Sequence, residues 1–389
     1  MNFKILLIVK NTFCCLAGPV KPQQSPSFQP DSPQRKLPAF HHRSFLFFFL
    51  LFSLACRAQT TTTQVVRLDP GHVALLLDST AAGKAITTDR HDRYFERVTA
   101  GEMSIQMKKP LEEGQTRESL LPGYIAYLKS DVESFTTRDV EFMEKVLKKM
   151  FKTVTGVAAD IFPDTLLLIK TKGNHYGASV WYTRDNCIII PENELDEQKT
   201  QPFTTTMYHE LSHVYSRLNP AKSAQLYRLI GFEKVGLDKL RVPPALAARV
   251  LYNPDGVDFA QKISLTMPDN SKIDAVPIIY ANHVGAKAGQ KEFFGYLEFN
   301  LFPIQPNGDG TWKVITKEDG YSSALKLNEL PDFYRQIKDN TGYIIHPDEV
   351  LADNFSFIMT EKNSPNYTAK FSPEGKKLLA DIENILKAK

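Results

Sequence analysis

Cysteine is scarce in this chain, with four in 389 residues. That excludes a disulfide-stapled scaffold, which needs many cysteines in a short sequence. Long apolar runs are also missing. The strongest, Phe45 to Ala55 (FLFFFLLFSLA), spans eleven residues, against about 20 for a membrane-crossing helix. Nor is there a surplus of basic charge. The formal charge is +3, from 47 Lys and Arg against 44 Asp and Glu. Residues 1–58 hold seven of those bases (Lys4, Lys10, Lys21, Arg35, Lys36, Arg43, Arg57) and one acid, Asp31. Subtracting them leaves 40 bases and 43 acids, a charge of −3. A nucleic-acid partner is therefore not expected. With 42% hydrophobic and 23% charged residues, 20 Gly and 24 Pro, the composition is that of a globular protein. At about 150 residues per domain, the length suits one large domain or two medium ones.

Phe45 to Ala55 has the length of a signal-peptide core, and Arg43 supplies its positive flank. Cleavage after Ala58 would set Cys56 and Ala58 at the two small-residue positions and leave Gln59 first. A lipoprotein with its lipid on Cys56 is the alternative. Ser53 stands where that pattern wants Leu, which favours ordinary cleavage. Ahead of the core, six prolines fall between Pro19 and Pro38 in a Ser/Gln-rich run, and no packed fold follows from that composition. Residues 1–58 are thus read as a leader, with the true start expected downstream of Met1. Three cysteines (Cys14, Cys15, Cys56) lie in it, and the body keeps Cys187 alone. The expected location is the periplasm or the exterior, with membrane contact only through the leader or a lipid on Cys56.

The spacing of Val140, Phe142, Met143, Val146, Leu147 and Met150 predicts a helix over 137–152. Strands are expected over 165–169, 178–182 and 187–190, the last two as a hairpin, and over 275–280, 293–302 and 312–315. Helices are expected over 203–218, from Pro220 to about 230, and over 325–337, 347–360 and 373–388. Residues 59–164 suggest no chemistry, and 165–389 form the candidate catalytic region. The fold class is α+β, with a mixed sheet ahead of a central helix and a mainly helical C-terminal part. Trp181, Trp312 and Cys187 read as packing residues.

The central helix carries His209-Glu210-Leu211-Ser212-His213, an HExxH sequence. Four residues is just over one helical turn, so both imidazoles share a face and can reach one metal ion. Glu210 sits about 100° round from His209, placed to act as a base on water beside the metal. Met207, Leu211, Val214, Tyr215 and Leu218 give the helix an apolar stripe to bury. A catalytic zinc wants a third protein ligand and one open position. Ser216 and Asn219 occupy the places where another HExxH pattern puts Gly and His, so a third His is excluded there. Two glutamates compete. Glu233 follows Gly231-Phe232 in what reads as a helix end, with Leu237 four residues on. Glu349 follows Pro347 and Asp348 at a helix start, where acids suit the positive end. Asp353, one turn on, can accept the free N–H of a ligating His. That pairing favours Glu349.

His209, Glu210, His213, Glu349 and Asp353 together resemble the gluzincin zinc metallopeptidases, whose pattern is HExxH followed by ExxxD on a later helix. The likeness covers roughly residues 174–361. It implies a zincin-like fold and one zinc cofactor held by His209, His213 and Glu349. It also implies Glu210 as general base, Asp353 as the acid behind a ligand, and a peptide or protein as substrate. Such enzymes align an extended substrate along an edge strand, for which Ala178 to Tyr182 is the candidate. Tyr343, His346, His283 and Tyr321 are candidates for stabilising an oxyanion. Two other readings stand beside this one: a non-catalytic zinc-binding envelope protein, and a metal-dependent hydrolase of non-peptide amides. Structural zinc sites are closed by four ligands and usually use Cys. A lone body cysteine and a retained glutamate base favour catalysis.

Overall fold

Residues 62–388 are described by a computed structural model. The leader, its apolar segment over 45–55 and Cys56 lie outside the described residues. Strands β1 (Gln64–Arg67) and β2 (Val73–Leu76) pair antiparallel. Helices α1 (Ser79–Ala85), α2 (Tyr94–Arg97), α3 (Ala100–Met107) and α4 (Arg117–Asp131) follow. Next come the two-residue strand β3 (Val132–Glu133) and the long helix α5 (Thr137–Thr155). Its start is fixed by a capping box between Thr136 and Asp139, which satisfies two otherwise orphaned N–H groups. Of its predicted apolar stripe, Phe142, Met143, Val146, Leu147 and Met150 are buried and Val140 is half-buried.

Strand β4 (Thr165–Thr171) is central to the first sheet, and β5 (Tyr182–Arg184) and β6 (Cys187–Pro191) complete it. The order is β1-β2-β4-β6-β5, with β3 also on β4. The β2–β4 and β4–β6 pairs are parallel and the rest antiparallel, so the sheet is mixed. Residues on both sides of position 164 therefore share one sheet, and the described residues belong to one compact unit. The hairpin forms as read, but its first strand begins only at Tyr182, not at Ala178. Gly173 (φ +73°) and Gly177 (φ +143°) curl the preceding chain back on itself. A Cβ on Gly173 would lie 2.7 Å from the Gly177 carbonyl oxygen, and that loop is incompatible with an extended strand. Asp185, at φ +50°, makes the turn, a left-handed conformation that Asp tolerates.

Helix α6 (Thr200–Leu218) carries the HExxH sequence, and α7 (Pro220–Leu229) follows it directly. Pro220 takes the first helical turn, where its missing N–H costs nothing. A second six-stranded sheet then intervenes. It comprises β7 (Phe232–Lys234), β8 (Leu240–Arg241), β9 (Gln261–Thr266), β10 (Lys272–Ala281), β11 (Leu297–Pro306) and β12 (Trp312–Val314), with the short helix α8 (Pro244–Ala247) beside it. The strand expected over 293–302 starts late, because Phe293–Gly295 form a 3-10 turn. One face of this sheet (Ile263, Leu265, Phe299, Leu301) joins the main core. The other (Val276, Ile278, Phe302, Ile304) packs a second core with Leu246 of α8.

Three helices end the chain: α9 (Pro331–Ile337), α10 (Pro347–Asn363) and α11 (Pro373–Lys387). α9 is shorter than the expected 325–337, since Leu327–Glu329 make a separate 3-10 turn and Pro331 opens the helix. The protein is thus α+β with mixed sheets. Its C-terminal part is helical only from Pro331 onward. No helix among the described residues is long and apolar enough to cross a membrane.

A buried polar knot ties residues 94–124 to the rest. Tyr94 Oη donates to Glu102 Oε1 (2.8 Å), Tyr124 Oη to Gln106 Oε1 (2.7 Å), and the Tyr252 N–H to Glu102 Oε2 (2.9 Å). The Arg184 guanidinium of β5 lies 4.0 Å over the Tyr94 ring, a cation–π contact in a dry setting. Burial, working against these donors and the nearby Arg184, pushes Glu102 up to about 7.

Candidate metal centre

Helices α6 and α10 pack along each other. Of the apolar stripe read for α6, Leu218 at the helix end is exposed, while Met207, Leu211, Val214 and Tyr215 are buried. So is the opposite face: His209, Glu210 and His213 expose 3%, 2% and 1%. Helix α10 starts at the centre itself. Its N-cap is His346, whose Nδ1 accepts the Asp348 N–H at 3.1 Å. Pro347 fills the first turn, and Glu349 follows with 1% exposure.

These starts bring three donors together. His209 Nε2 lies 3.1 Å from Glu349 Oε2, and His213 Nε2 lies 3.5 Å from the same oxygen. The two imidazoles stand edge to face, 4.8 Å apart between ring centres. Behind them, His209 Nδ1 lies 2.8 Å from Asp353 Oδ1, and Asp353 Oδ2 accepts the Thr341 hydroxyl. The carboxylate thereby fixes which His209 nitrogen faces Glu349. The second Glu349 oxygen, Oε1, accepts Asn253 Nδ2 at 2.8 Å. One oxygen is tied to the protein and one is aimed at the imidazoles.

Buried charges in the cluster shift one another. Burial disfavours the His213 imidazolium, but Glu349 and Asp255 outweigh it and push its pKa up to about 10. Burial likewise opposes the Glu349 carboxylate, and His213 and His209 overcome it, holding Glu349 well below the usual range. Asp255 is raised to about 7 by burial, against His213 and with Glu210 and Glu349 adding to the rise.

The donor set fits a zinc ion. Neither ring nitrogen of His213 makes a hydrogen bond, an expensive state for a buried polar ring unless something else takes its lone pair. Two imidazoles and a carboxylate are a known catalytic zinc set. With metal–ligand bonds of about 2.0–2.1 Å, tetrahedral ligands lie about 3.3–3.4 Å apart. The observed 3.1 and 3.5 Å separations bracket that value. Replacing Asp353 by Ala is expected to weaken zinc binding by about 10–100-fold. A competition titration with a chromogenic chelator reads it, and unchanged affinity would show that Asp353 does not hold His209.

The other sequence-selected residues fall elsewhere or play other parts. Glu233 is exposed on β7, paired in register with Lys262 of β9, so it is not among the converging donors. His346 caps α10 through Nδ1, and its buried Nε2 makes no hydrogen bond. His283 bonds Gly285 O within its own turn at 3.0 Å, and Tyr321 lies under the Arg249 guanidinium at 4.1 Å. Tyr343 does reach the centre, its ring stacked on His209 with 6.1 Å between centroids. Burial and the surrounding carboxylates (Glu349, Asp255, Asp353, Glu210) keep its phenol protonated far above neutral pH.

Comparison of the chain with family models, with curated proteins and with solved structures gives no match.

Three residues at the centre escaped the sequence reading. Asn253 holds Glu349. Asp255 groups with Glu210 and His213, their ligand atoms all within 4.8 Å of one another. Arg217, on the last turn of α6 with its side chain turned inward, donates to the Pro254 and Asp255 carbonyls at 3.1 and 3.3 Å. Asn253-Pro254-Asp255-Gly256 carries a turn signal, and a turn signal says nothing about where the turn docks. Arg217 sits four residues past His213, and its position on the motif helix was the one available hint.

Proposed function

We propose that this protein is an exported zinc-dependent peptide hydrolase of the gluzincin type, with a zincin-like catalytic fold. The observation that carries the reading is the meeting of His209, His213 and Glu349 around one point, with Glu210 beside them and Asp353 behind His209. Glu349, rather than Glu233, supplies the carboxylate. The antiparallel edge strand β5 lies against α6, as an extended substrate would require.

Bound by His209, His213 and Glu349, zinc would polarise a scissile carbonyl and lower the pKa of water at the centre toward 7. The protein's own groups do the rest. Glu210 takes the proton of the attacking water and delivers it to the leaving amine, so that both bonds change without a free charge on nitrogen. Asp353 keeps His209 in one tautomer and stabilises its orientation. Tyr343, its ring stacked on His209 and its phenol kept protonated, supplies a hydrogen bond where negative charge develops on oxygen. Export rests on the leader sequence over 45–58.

Dialysing the purified protein against a chelator is expected to abolish cleavage of a mixed peptide library. Added zinc, at one equivalent, is expected to restore it. Cleavage that survives complete metal removal would reject this reading, as would a zinc-loaded protein with no cleavage of any library member.

A further inference from the structure

The centre is covered. His209, Glu210, His213 and Glu349 each expose 3% or less, so no peptide reaches them unless a covering segment moves. The segment Leu251–Val257 has no helix or strand and meets the cluster through Asn253 and Asp255. Its contacts are specific. Asn253 donates to Glu349 Oε1 at 2.8 Å. Asp255 Oδ1 accepts both the backbone N–H (2.6 Å) and the hydroxyl (2.8 Å) of Thr183. Arg217 grips the carbonyls of Pro254 and Asp255 from the motif helix. Gly256 is seated so closely that a Cβ there would lie 2.5 Å from His346 Cε1 and 2.6 Å from Asp348 Oδ2.

Thr183 is the middle residue of β5, the edge of the first sheet. Its outward N–H is the kind of group an extended peptide uses when it adds to a sheet edge. Here an oxygen of Asp255 already takes that hydrogen, as a substrate carbonyl would. The same carboxylate lies next to Glu210 and His213, where a substrate's reacting group belongs. We infer that Leu251–Val257 is a strap that occupies the substrate's place on β5, and that its local opening gates the metal centre. The identity of what enters rests on the proposed hydrolase reading; the strap itself does not. The strap is anchored at its ends, where Leu251 and Val257 are buried in the core and the Leu251 N–H donates to Ile279 O at 3.0 Å. Between them Tyr252–Gly256 has no strand pairing and is held to its neighbours largely through side-chain groups, so that stretch can open without unfolding the sheets.

Hydrogen exchange on the full chain tests this. In the wild type, the amides of Thr183, Tyr252 and Gly256 are expected to exchange together, with little dependence on added denaturant. Leu168 and Ile189 in the first sheet should exchange only through global unfolding. Asp255→Ala is expected to speed the Thr183 amide at least tenfold and to speed zinc loss to excess chelator about tenfold. Asp255→Asn keeps an oxygen acceptor for Thr183 and should stay within threefold on both. If the Thr183 amide in Asp255→Ala exchanges at the wild-type rate, the strap is wrong. It is equally wrong if the wild-type strap amides exchange only with the sheet. That second measurement decides the matter even where the Ala variant fails to fold. Strap amides that open together in a protein that cleaves no peptide would keep the strap and reject the hydrolase. Peptide cleavage with strap and sheet exchanging as one would do the reverse.

Discussion

Glu210→Gln is expected to retain a full equivalent of zinc and to lose about 10²–10⁴-fold in peptide-library hydrolysis. The substitution keeps the size of the side chain and removes its ability to accept a proton. Glu210 lies within the cluster, 2% exposed, but the three converging donors are His209, His213 and Glu349. Metal content, read by elemental analysis, should therefore be untouched while turnover falls. Reading both quantities separates a lost base from a lost metal. The nearby Asp255 provides the contrast, because its carboxylate is also close to His213. If hydrolysis survives Glu210→Gln and vanishes in Asp255→Asn, the base is Asp255 and the assignment of Glu210 is overturned.

The parts of this centre that could be read in the sequence are those set by helical geometry. His209, Glu210 and His213 are positioned relative to one another by 3.6 residues per turn, and Glu349 and Asp353 by the same rule. The tertiary step, that the two helices pack so that Asp353 meets His209, was reachable only because acid spacing on the second helix matched a need created by the first. Nothing comparable marked Asn253 or Asp255. They sit in an irregular segment, and their roles follow from where the chain is laid down between β8 and β9, which no local periodicity encodes. The same distinction explains the strands. Cys187 to Pro191 is a strand because its run of Ile is buried between two neighbours. Ala178 to Trp181 has similar residues, yet Gly173 and Gly177 turn the chain before it can pair. Pairing of β2 with β4 across α1–α5 is a long-range choice that joins residues 73–76 to the sheet of the centre. The weakly periodic sequence there carried no sign of it.

Glu349→Gln is expected to weaken zinc binding on the order of a thousandfold or more, beyond the 10–100-fold typical of an outer partner such as Asp353. The carboxylate contributes both a donor oxygen and the negative charge that offsets a divalent ion in a buried setting. Gln keeps the shape, and its amide can turn either its oxygen or its nitrogen toward Asn253. The fold should therefore tolerate the change better than it tolerates Glu349→Ala, which would leave His209, His213 and Asn253 facing a hole. Chelator competition measures the affinity, and a thermal melt of the metal-free variants checks that the fold is intact. Glu233→Gln is the matching control, since Glu233 is exposed on β7 and paired with Lys262 in the sheet register. Its zinc affinity should equal that of the wild type. Should Glu233→Gln lose the metal while Glu349→Gln keeps it, the convergence of α6 and α10 on one ion is refuted. The centre would then have to be rebuilt around the residues that follow α7.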